Sequence, residues 1–151
     1  MNLIPASGTD DLAAERTSIV RKYFHMVDDG DPGLLDLYTD DVELFFPKFG
    51  YSHGKAGMAE FARRLWLDLG SIEHDIEGLT IMVAGDRVIV EGCEGGTLAD
   101  GTRWPDGHVS TGRFCNVFTF TGTRISSVHI YTDPDIASTH AEKVAQLHTG
   151  W

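Results

Sequence analysis

The sequence predicts an α+β fold, in which a curved antiparallel sheet wraps around N-terminal helices and forms a cone. Two observations support this class. Helical periodicity is concentrated in the first half of the chain, whereas four strand-like segments separated by turns and one longer loop follow residue 71. Helices followed by a run of strands are typical of α+β proteins. Because helices fill only the concave side of such a sheet, we expect a pocket at the open end of the cone.

The helices are predicted from apolar stripes and from the breakers that end them. After a loose tail over 1–9, Thr9 or Asp10 can cap a first helix, which the sequence DDGDPG at 28–33 ends. A short helix is expected in GLLDLY, directly afterwards. The clearest helix spans 55–71, where apolar residues recur at helical spacing: Met58, Phe61, Ala62, Leu65, Trp66 and Leu69.

The strands are predicted from apolar runs bounded by turn signals. They are expected at 40–47, 72–83, 87–98, 112–121 and 124–132. KFGYSHGK and the Gly-rich stretch 98–111 are expected to be loops. The last residues, 136–151, form a C-terminal tail that is compatible with a helix.

The length and the charge of the chain limit its possible functions. The chain has 151 residues, the length of one domain, and a formal net charge of −11, which repels nucleic acid and anionic membranes. The N-terminus lacks a signal-peptide pattern, and no run approaches the roughly 20 apolar residues of a membrane span. We therefore predict a single cytoplasmic domain over 1–151, with Cys93 and Cys115 as reduced thiols.

No cofactor or metal is predicted. The sequence SHGKAG at 52–57 lacks the glycine spacing of a phosphate-binding loop. The seven histidines are scattered, and none pair at the i, i+4 or H-x-H spacing that often supplies metal ligands.

Three polar side chains are predicted to face the interior of the cone, because side chains alternate along a strand. They are His74, Glu91 and Asn116. The rest of this predicted inner face consists of Ile76, Ile89, Cys93, Phe114, Phe118, Val128 and Ile130. A few polar groups in an apolar cavity are what a small-molecule site requires.

The order of elements and three strings resemble the nuclear transport factor 2-like superfamily, in its SnoaL-like branch. The strings are IVRKYFHMVDDGDPGLLDLYTDDVELFFP, HGKAGMAEFARRL and GRFCNVFTFTGTRISSVHIY. The resemblance covers about 17–135 and implies the cone-shaped fold. This superfamily includes isomerases, dehydratases, cyclases, epoxide hydrolases and non-catalytic binding domains, so the fold leaves the function open.

The resemblance implies roles for individual residues. Tyr23 and Asn116 match positions where ketosteroid isomerases hold a substrate oxygen, but Phe46 occupies the place of their general-base aspartate. Scytalone-dehydratase-like and bile-acid-dehydratase-like members are more similar. Asp28 matches their aspartate at the end of the first helix, and His74 matches their catalytic histidine.

The match to the dehydratases is incomplete at two positions. Phe46 stands where their pocket tyrosine lies, and Glu91 lies near the place of a second histidine of scytalone dehydratases. Limonene-epoxide-hydrolase-like enzymes need an arginine and two aspartates that the strands here do not supply.

In the enzymatic interpretation, His74 is the acid/base, since an imidazole titrates near neutral pH, and Asp28 orients it. Glu91, with a pKa raised by burial, is a second acid or base, while Asn116 and Tyr23 donate hydrogen bonds to a substrate oxygen. Phe46 and Trp66 shape the cavity.

Each of these residues also has a structural interpretation. His74 and Tyr23 are compatible with core positions, Asp28 with a solvated turn, and Asn116 with a structural hydrogen bond. Glu91 could pair with Arg113 or be exposed at an edge.

Two functions therefore remain open. One is a cofactor-free dehydratase, isomerase or cyclase that acts on a small apolar oxygenated molecule. The other is a non-catalytic module of the same fold for ligand binding or dimerisation. The convex sheet face is predicted to be too apolar to stay in water, so we expect a homodimer through it. The residues expected on that face are Cys115, Val117, Thr119, His129 and Tyr131.

Overall fold

The computed structural model describes residues 7–140 and has the predicted α+β class. Helix α1 spans Ser7–Asp28, a 3-10 helix spans Pro32–Leu37, and helix α2 spans Gly54–Leu65. The 3-10 helix begins where Asp31 accepts a hydrogen bond from the Gly33 backbone N–H, at 2.8 Å. All three predicted helices are present, but their ends differ.

The differences lie at the helix termini. Helix α1 already includes residues 7–9, which were predicted to be loose, while 1–6 lie outside the described residues. Helix α2 ends six residues before the predicted limit of 71, because the chain turns there into a strand. Residues 136–140 form turns, and the rest of the C-terminal tail, which the sequence left compatible with a helix, lies outside the described residues.

Eight strands form one sheet with the order β2-β1-β8-β7-β5-β3, and β4 and β6 also pair with β5. Their bounds are β1 Tyr38–Phe46, β2 Gly50–His53, β3 Leu69–His74, β4 Thr80–Ala84, β5 Arg87–Leu98, β6 Arg103–Trp104, β7 Arg113–Thr121 and β8 Arg124–Thr132. The predicted strand 72–83 is thus two strands, and the two predicted loops contain β2 and β6. The long β5 pairs with β4 along its first half and with β3 along its second half.

The sheet is mixed rather than antiparallel throughout. Strands β5, β7 and β8 are antiparallel neighbours, as the hairpin turns predict, but β1 runs parallel to β8. The prediction of an antiparallel sheet is wrong at this pair. The physical reason is that β1 and β8 are far apart in sequence, so no turn between them sets their relative direction.

Helix α1 lies on the concave side of the curled sheet, where it buries Val20, Tyr23 and Phe24 against Val88 and Phe118. Arg16 anchors the start of this helix, since its guanidinium donates to the carbonyls of Gly85 at 2.9 Å and Gly122 at 3.0 Å. The other end of α1 reaches β3. Both ends of the helix are therefore fixed against the sheet. Within 7–140, no helix is long and apolar enough to cross a membrane.

Candidate functional site

A cavity of about 360 Å³ lies between α1, the 3-10 helix, α2 and the sheet. Most of its wall is apolar, and the predicted wall residues Phe46, Trp66 and Ile130 are part of it. Other apolar wall residues include Met26, Leu34, Leu35, Met58, Phe61 and Leu65. Polar residues are few, and they are contributed by α1, by Asp31 at the start of the 3-10 helix and by the strands that curl around α1. This is the composition expected of a small-molecule site.

Asp28 and His74 form the first polar contact of the site. Asp28 is the last residue of α1, and His74 is the last residue of β3. One Asp28 carboxylate oxygen contacts Nδ1 of the His74 ring, and the other accepts a hydrogen bond from the His74 backbone N–H at 2.9 Å. This two-point contact holds the ring in one orientation.

Glu94 contacts the other side of the same imidazole. Its Oε2 atom lies 3.3 Å from His74 Nε2, and its Oε1 atom accepts a hydrogen bond from the Thr132 hydroxyl at 2.7 Å. His74 and Glu94 are directly opposite each other in the β3–β5 pairing, where cross-strand side chains lie close together. Asp28, His74, Glu94 and Thr132 therefore form one chain of polar contacts, and its two middle members line the cavity.

The His74 ring is shielded from water. Its side chain is 5% exposed, and the rings of Phe24 and Phe114 lie 4.8 Å and 5.3 Å from it, centroid to centroid. Burial alone lowers the pKa of His74, but the hydrogen bonds and negative charges of Asp28 and Glu94 outweigh it. The net result is a pKa raised above the ordinary 6.5, so the charged imidazolium is favoured.

Tyr23 and Tyr38 add two phenol groups to the cavity wall. Burial first, and then the negative charge of Glu94, raise the pKa of Tyr23 well above its ordinary value. Burial and the neighbouring Tyr23 hydroxyl raise the pKa of Tyr38 in the same direction. Both phenols therefore keep their protons at neutral pH and can donate hydrogen bonds.

Asn116 lies on β7 with its side chain turned toward the cavity and is 3% exposed. Its Oδ1 atom is buried and has no hydrogen-bond partner among the described residues. A buried acceptor without a partner is uncommon and costs free energy, so this atom is available to a ligand.

The structure thus brings together four of the five predicted polar residues: His74, Asp28, Asn116 and Tyr23. Three of these line the cavity, and Asp28 lies behind His74. Their catalytic roles stay predictions.

Glu91 is the exception, because it is exposed on the opposite face of β5. The predicted facing of β5 is wrong, since the buried residues of that strand are Val88, Val90, Gly92 and Gly96. Cys93 accordingly shares the outer face with Glu91 and does not line the cavity.

Three predicted wall residues are buried but lie in the packed core. Phe114, Phe118 and Val128 face inward, as predicted, yet they pack in the main apolar cluster and do not line the cavity. Helix α1 covers the two phenylalanines, since the Phe24 ring packs against both of their rings, at centroid distances of 5.5 Å and 6.1 Å.

Glu94 is a residue of the candidate site that the sequence interpretation missed. Apolar residues occur on both faces of β5 at Val88, Ile89 and Val90, so the apolar run alone does not define the inner face. Arg87 is the signal that could have found it. A charged residue at the strand start indicates that the face it shares with Ile89 and Glu91 points outward, which places Glu94 inside.

Comparison with known families agrees with this architecture. The profile of the SnoaL-like domain family matches residues 20–128. Since this match covers more than half of the chain, the chain belongs to the SnoaL-like domain family. A comparison with curated proteins found no match.

Solved structures with the same fold include several NTF2-like proteins. One of unknown function from Burkholderia pseudomallei K96243 is 20% identical, covers 87% of this chain and 95% of its own, and has a TM-score of 0.68. A candidate polyketide cyclase from Pseudomonas putida KT2440 is 20% identical over 81% of this chain and 94% of its own, with a TM-score of 0.65.

A second candidate polyketide cyclase, from Xanthomonas campestris pv. campestris, is 19% identical over 89% of this chain and 97% of its own, with a TM-score of 0.66. At these identities the likeness demonstrates a shared fold alone.

Within the described residues, no group of three His, Cys, Asp or Glu side chains is arranged to hold a metal ion.

Proposed function

We propose that this SnoaL-like protein is a cofactor-free lyase or isomerase, of the dehydratase, isomerase or cyclase type, that acts on a small apolar oxygenated molecule. One observation supports this proposal above the others. A buried imidazole contacts a carboxylate at each ring nitrogen, in a cavity whose wall is mostly apolar.

As a purely structural part of the core, this arrangement would be unfavourable in free energy. Three ionisable groups are removed from water together, and buried ion pairs are often no more stabilising than well-packed apolar side chains. Ionisable groups clustered in a cleft with a shifted pKa are characteristic of catalytic sites. The cluster therefore has a more natural explanation in proton transfer than in folding.

In the proposed reaction, Glu94 and His74, which both line the cavity, carry out the proton transfers. Glu94 is the base, which takes a proton from a carbon next to a carbonyl. Once Glu94 is protonated, it no longer competes for the hydrogen on His74 Nε2. His74, held as an imidazolium by Asp28, is then the acid that returns this proton to a leaving hydroxyl or to an enolate carbon. Tyr23 donates a hydrogen bond to the oxygen that gains negative charge in between.

The experiment begins with a screen of apolar hydroxy-ketones and related molecules for dehydration, isomerisation or cyclisation. On a substrate found in this way, His74→Gln should lower kcat by about 100-fold or more, in line with general acid-base contributions. Glu94→Gln should cause a loss of similar size.

Two matched controls separate chemistry from folding. His25 is an exposed histidine near the end of α1, and Glu91 is an exposed carboxylate on β5. His25→Gln and Glu91→Gln should retain wild-type kcat. Wild-type turnover by His74→Gln on a verified substrate contradicts the proposed role.

The alternative is a module that binds a similar molecule without converting it. Phe46 favours this alternative, since it lines the cavity at the position that the resemblance assigns to a pocket tyrosine or to a general-base aspartate. Binding whose affinity is independent of pH across the titration of His74, together with no turnover in the screen, would support the binding module.

A further inference from the structure

The part of the cavity wall around His74 and Glu94 carries an excess of negative charge. His74 is the only cationic side chain in the wall among the described residues, since neither lysine nor arginine lines it. Both nitrogens of that imidazole already contact carboxylates, Asp28 on one side and Glu94 on the other. An anionic ligand would therefore find no free cation and would meet two carboxylates around one imidazolium.

Apolar walls strengthen this effect. The charged side chains of His74 and Glu94 are only 5% and 11% exposed, so water and salt screen them weakly. A carboxylate entering this cavity would lose its hydration shell without gaining a cationic partner, because the Tyr23 and Tyr38 hydroxyls are neutral donors, and this is strongly unfavourable. A neutral molecule of the same shape does not suffer this penalty.

Besides the donor hydroxyls of Tyr23 and Tyr38, the cavity wall offers hydrogen-bond acceptors to a neutral ligand. Asn116 Oδ1 is buried without a partner, and the Glu94 carboxylate lies in the same wall. A ligand hydroxyl can donate to the unpaired amide oxygen and so satisfy it. An ether oxygen of the same size cannot, because it has no hydrogen to donate.

From this charge and donor pattern, we infer that the cavity selects neutral apolar molecules with a free hydroxyl group, such as phenols, and excludes the corresponding carboxylates. The negative charge of Glu94 repels anionic ligands, and Asn116 Oδ1 accepts a hydrogen bond from the ligand hydroxyl. This inference rests on the proposed function in one respect, because it takes the same cavity as the substrate site.

Three probes of one shape test the inference by calorimetric titration of the full chain at pH 7. They are 2-naphthol, which is neutral and has a hydroxyl donor, 2-methoxynaphthalene, which has no donor, and 2-naphthoate, which is anionic. We expect 2-naphthol to bind at least about tenfold more tightly than either of the others, the factor that one lost hydrogen bond or one unpaired charge typically causes.

Variants assign the selectivity to residues. Glu94→Gln should raise the affinity for 2-naphthoate by about tenfold or more, whereas the matched outer-face variant Glu91→Gln should leave it unchanged. Asn116→Leu should reduce the affinity for 2-naphthol to that for 2-methoxynaphthalene. If Asn116→Leu does not fold, the wild-type comparison of these two probes still tests the hydroxyl requirement.

Three results would overturn the inference: equal binding of 2-naphthol and 2-naphthoate, equal binding of 2-naphthol and 2-methoxynaphthalene, or no binding of any probe up to its solubility. These results are distinct from failure of the proposed function. Selective binding in a protein without turnover rejects the enzyme and keeps the selectivity. Turnover of a substrate together with unselective binding rejects the selectivity alone.

Discussion

At the scale of single residues, the contacts of His74 determine its charge and therefore its influence on stability. The ring lies in a buried position where burial alone would favour the neutral form, but carboxylates on both sides favour the charged form more strongly. A group whose pKa is raised on folding stabilises the folded chain fully at pH values below its unfolded pKa. That stabilisation is lost as the pH rises through the folded pKa.

The resulting prediction concerns the pH dependence of unfolding. The free energy of unfolding of the wild type should exceed that of His74→Gln by its largest margin near pH 6, below the ordinary histidine pKa of 6.5. The margin should shrink toward pH 9, because the native imidazolium then loses its proton. Urea denaturation of both proteins at several pH values measures the difference, and a margin that grows with pH would contradict the assignment.

At the scale of elements, the pairing of β3 with β5 places His74 opposite Glu94. Gly96 lies opposite Ile72 in the same pairing, at a point where the backbones of the two strands come close together. A Cβ atom at Gly96 would lie 2.2 Å from the Ser71 carbonyl oxygen, and the backbone φ of +152° is one that other residues rarely adopt. The close approach of the two backbones therefore requires glycine at this position.

We expect Gly96→Ala to lower the free energy of unfolding by about 2 kcal/mol or more, because the strands must separate locally to admit the methyl group. Gly8→Ala provides the control, as Gly8 lies in α1 with nothing near its Cβ position. This change should be neutral or slightly stabilising, since alanine is the better helix former. Equal stability of Gly96→Ala and the wild type would show that the strands tolerate the separation.

At the scale of the whole molecule, the outer sheet face carries an aromatic cluster formed by Phe45, Tyr51, His129 and Tyr131. Tyr51 is 60% exposed and Tyr131 is 49% exposed, although both rings pack against Phe45. Exposed aromatic residues on one face are typical of protein interfaces. The homodimer expected from the sequence remains a prediction, and this cluster is where we propose that it forms.

Sedimentation of the wild type at micromolar concentration should give the mass of a dimer. Tyr131→Glu should shift the protein toward the monomer, because two carboxylates would then be buried near each other at a symmetric interface. His108→Gln, an exposed change in the 98–111 loop, should leave the dimer intact. A monomeric wild type would contradict the proposal.

The class of fold, the order of the main elements and part of the candidate site follow from the amino-acid sequence. Local pattern was sufficient wherever one face of a segment is clearly apolar. Strand β7 is the best case, since Phe114, Asn116 and Phe118 face inward as predicted. The contact between Asp28 and His74, which resemblance to the dehydratases suggested, is also present.

Three features depend on contacts between distant parts of the chain: the facing of β5, the parallel pairing of β1 with β8, and the division between packed core and cavity wall. Because β5 is apolar on both faces, only its neighbours define which side is inside, and they select Glu94 instead of Glu91. The physical reason is the same in each case. Periodicity within a segment describes that segment, whereas its partners across the fold determine which of its side chains meet.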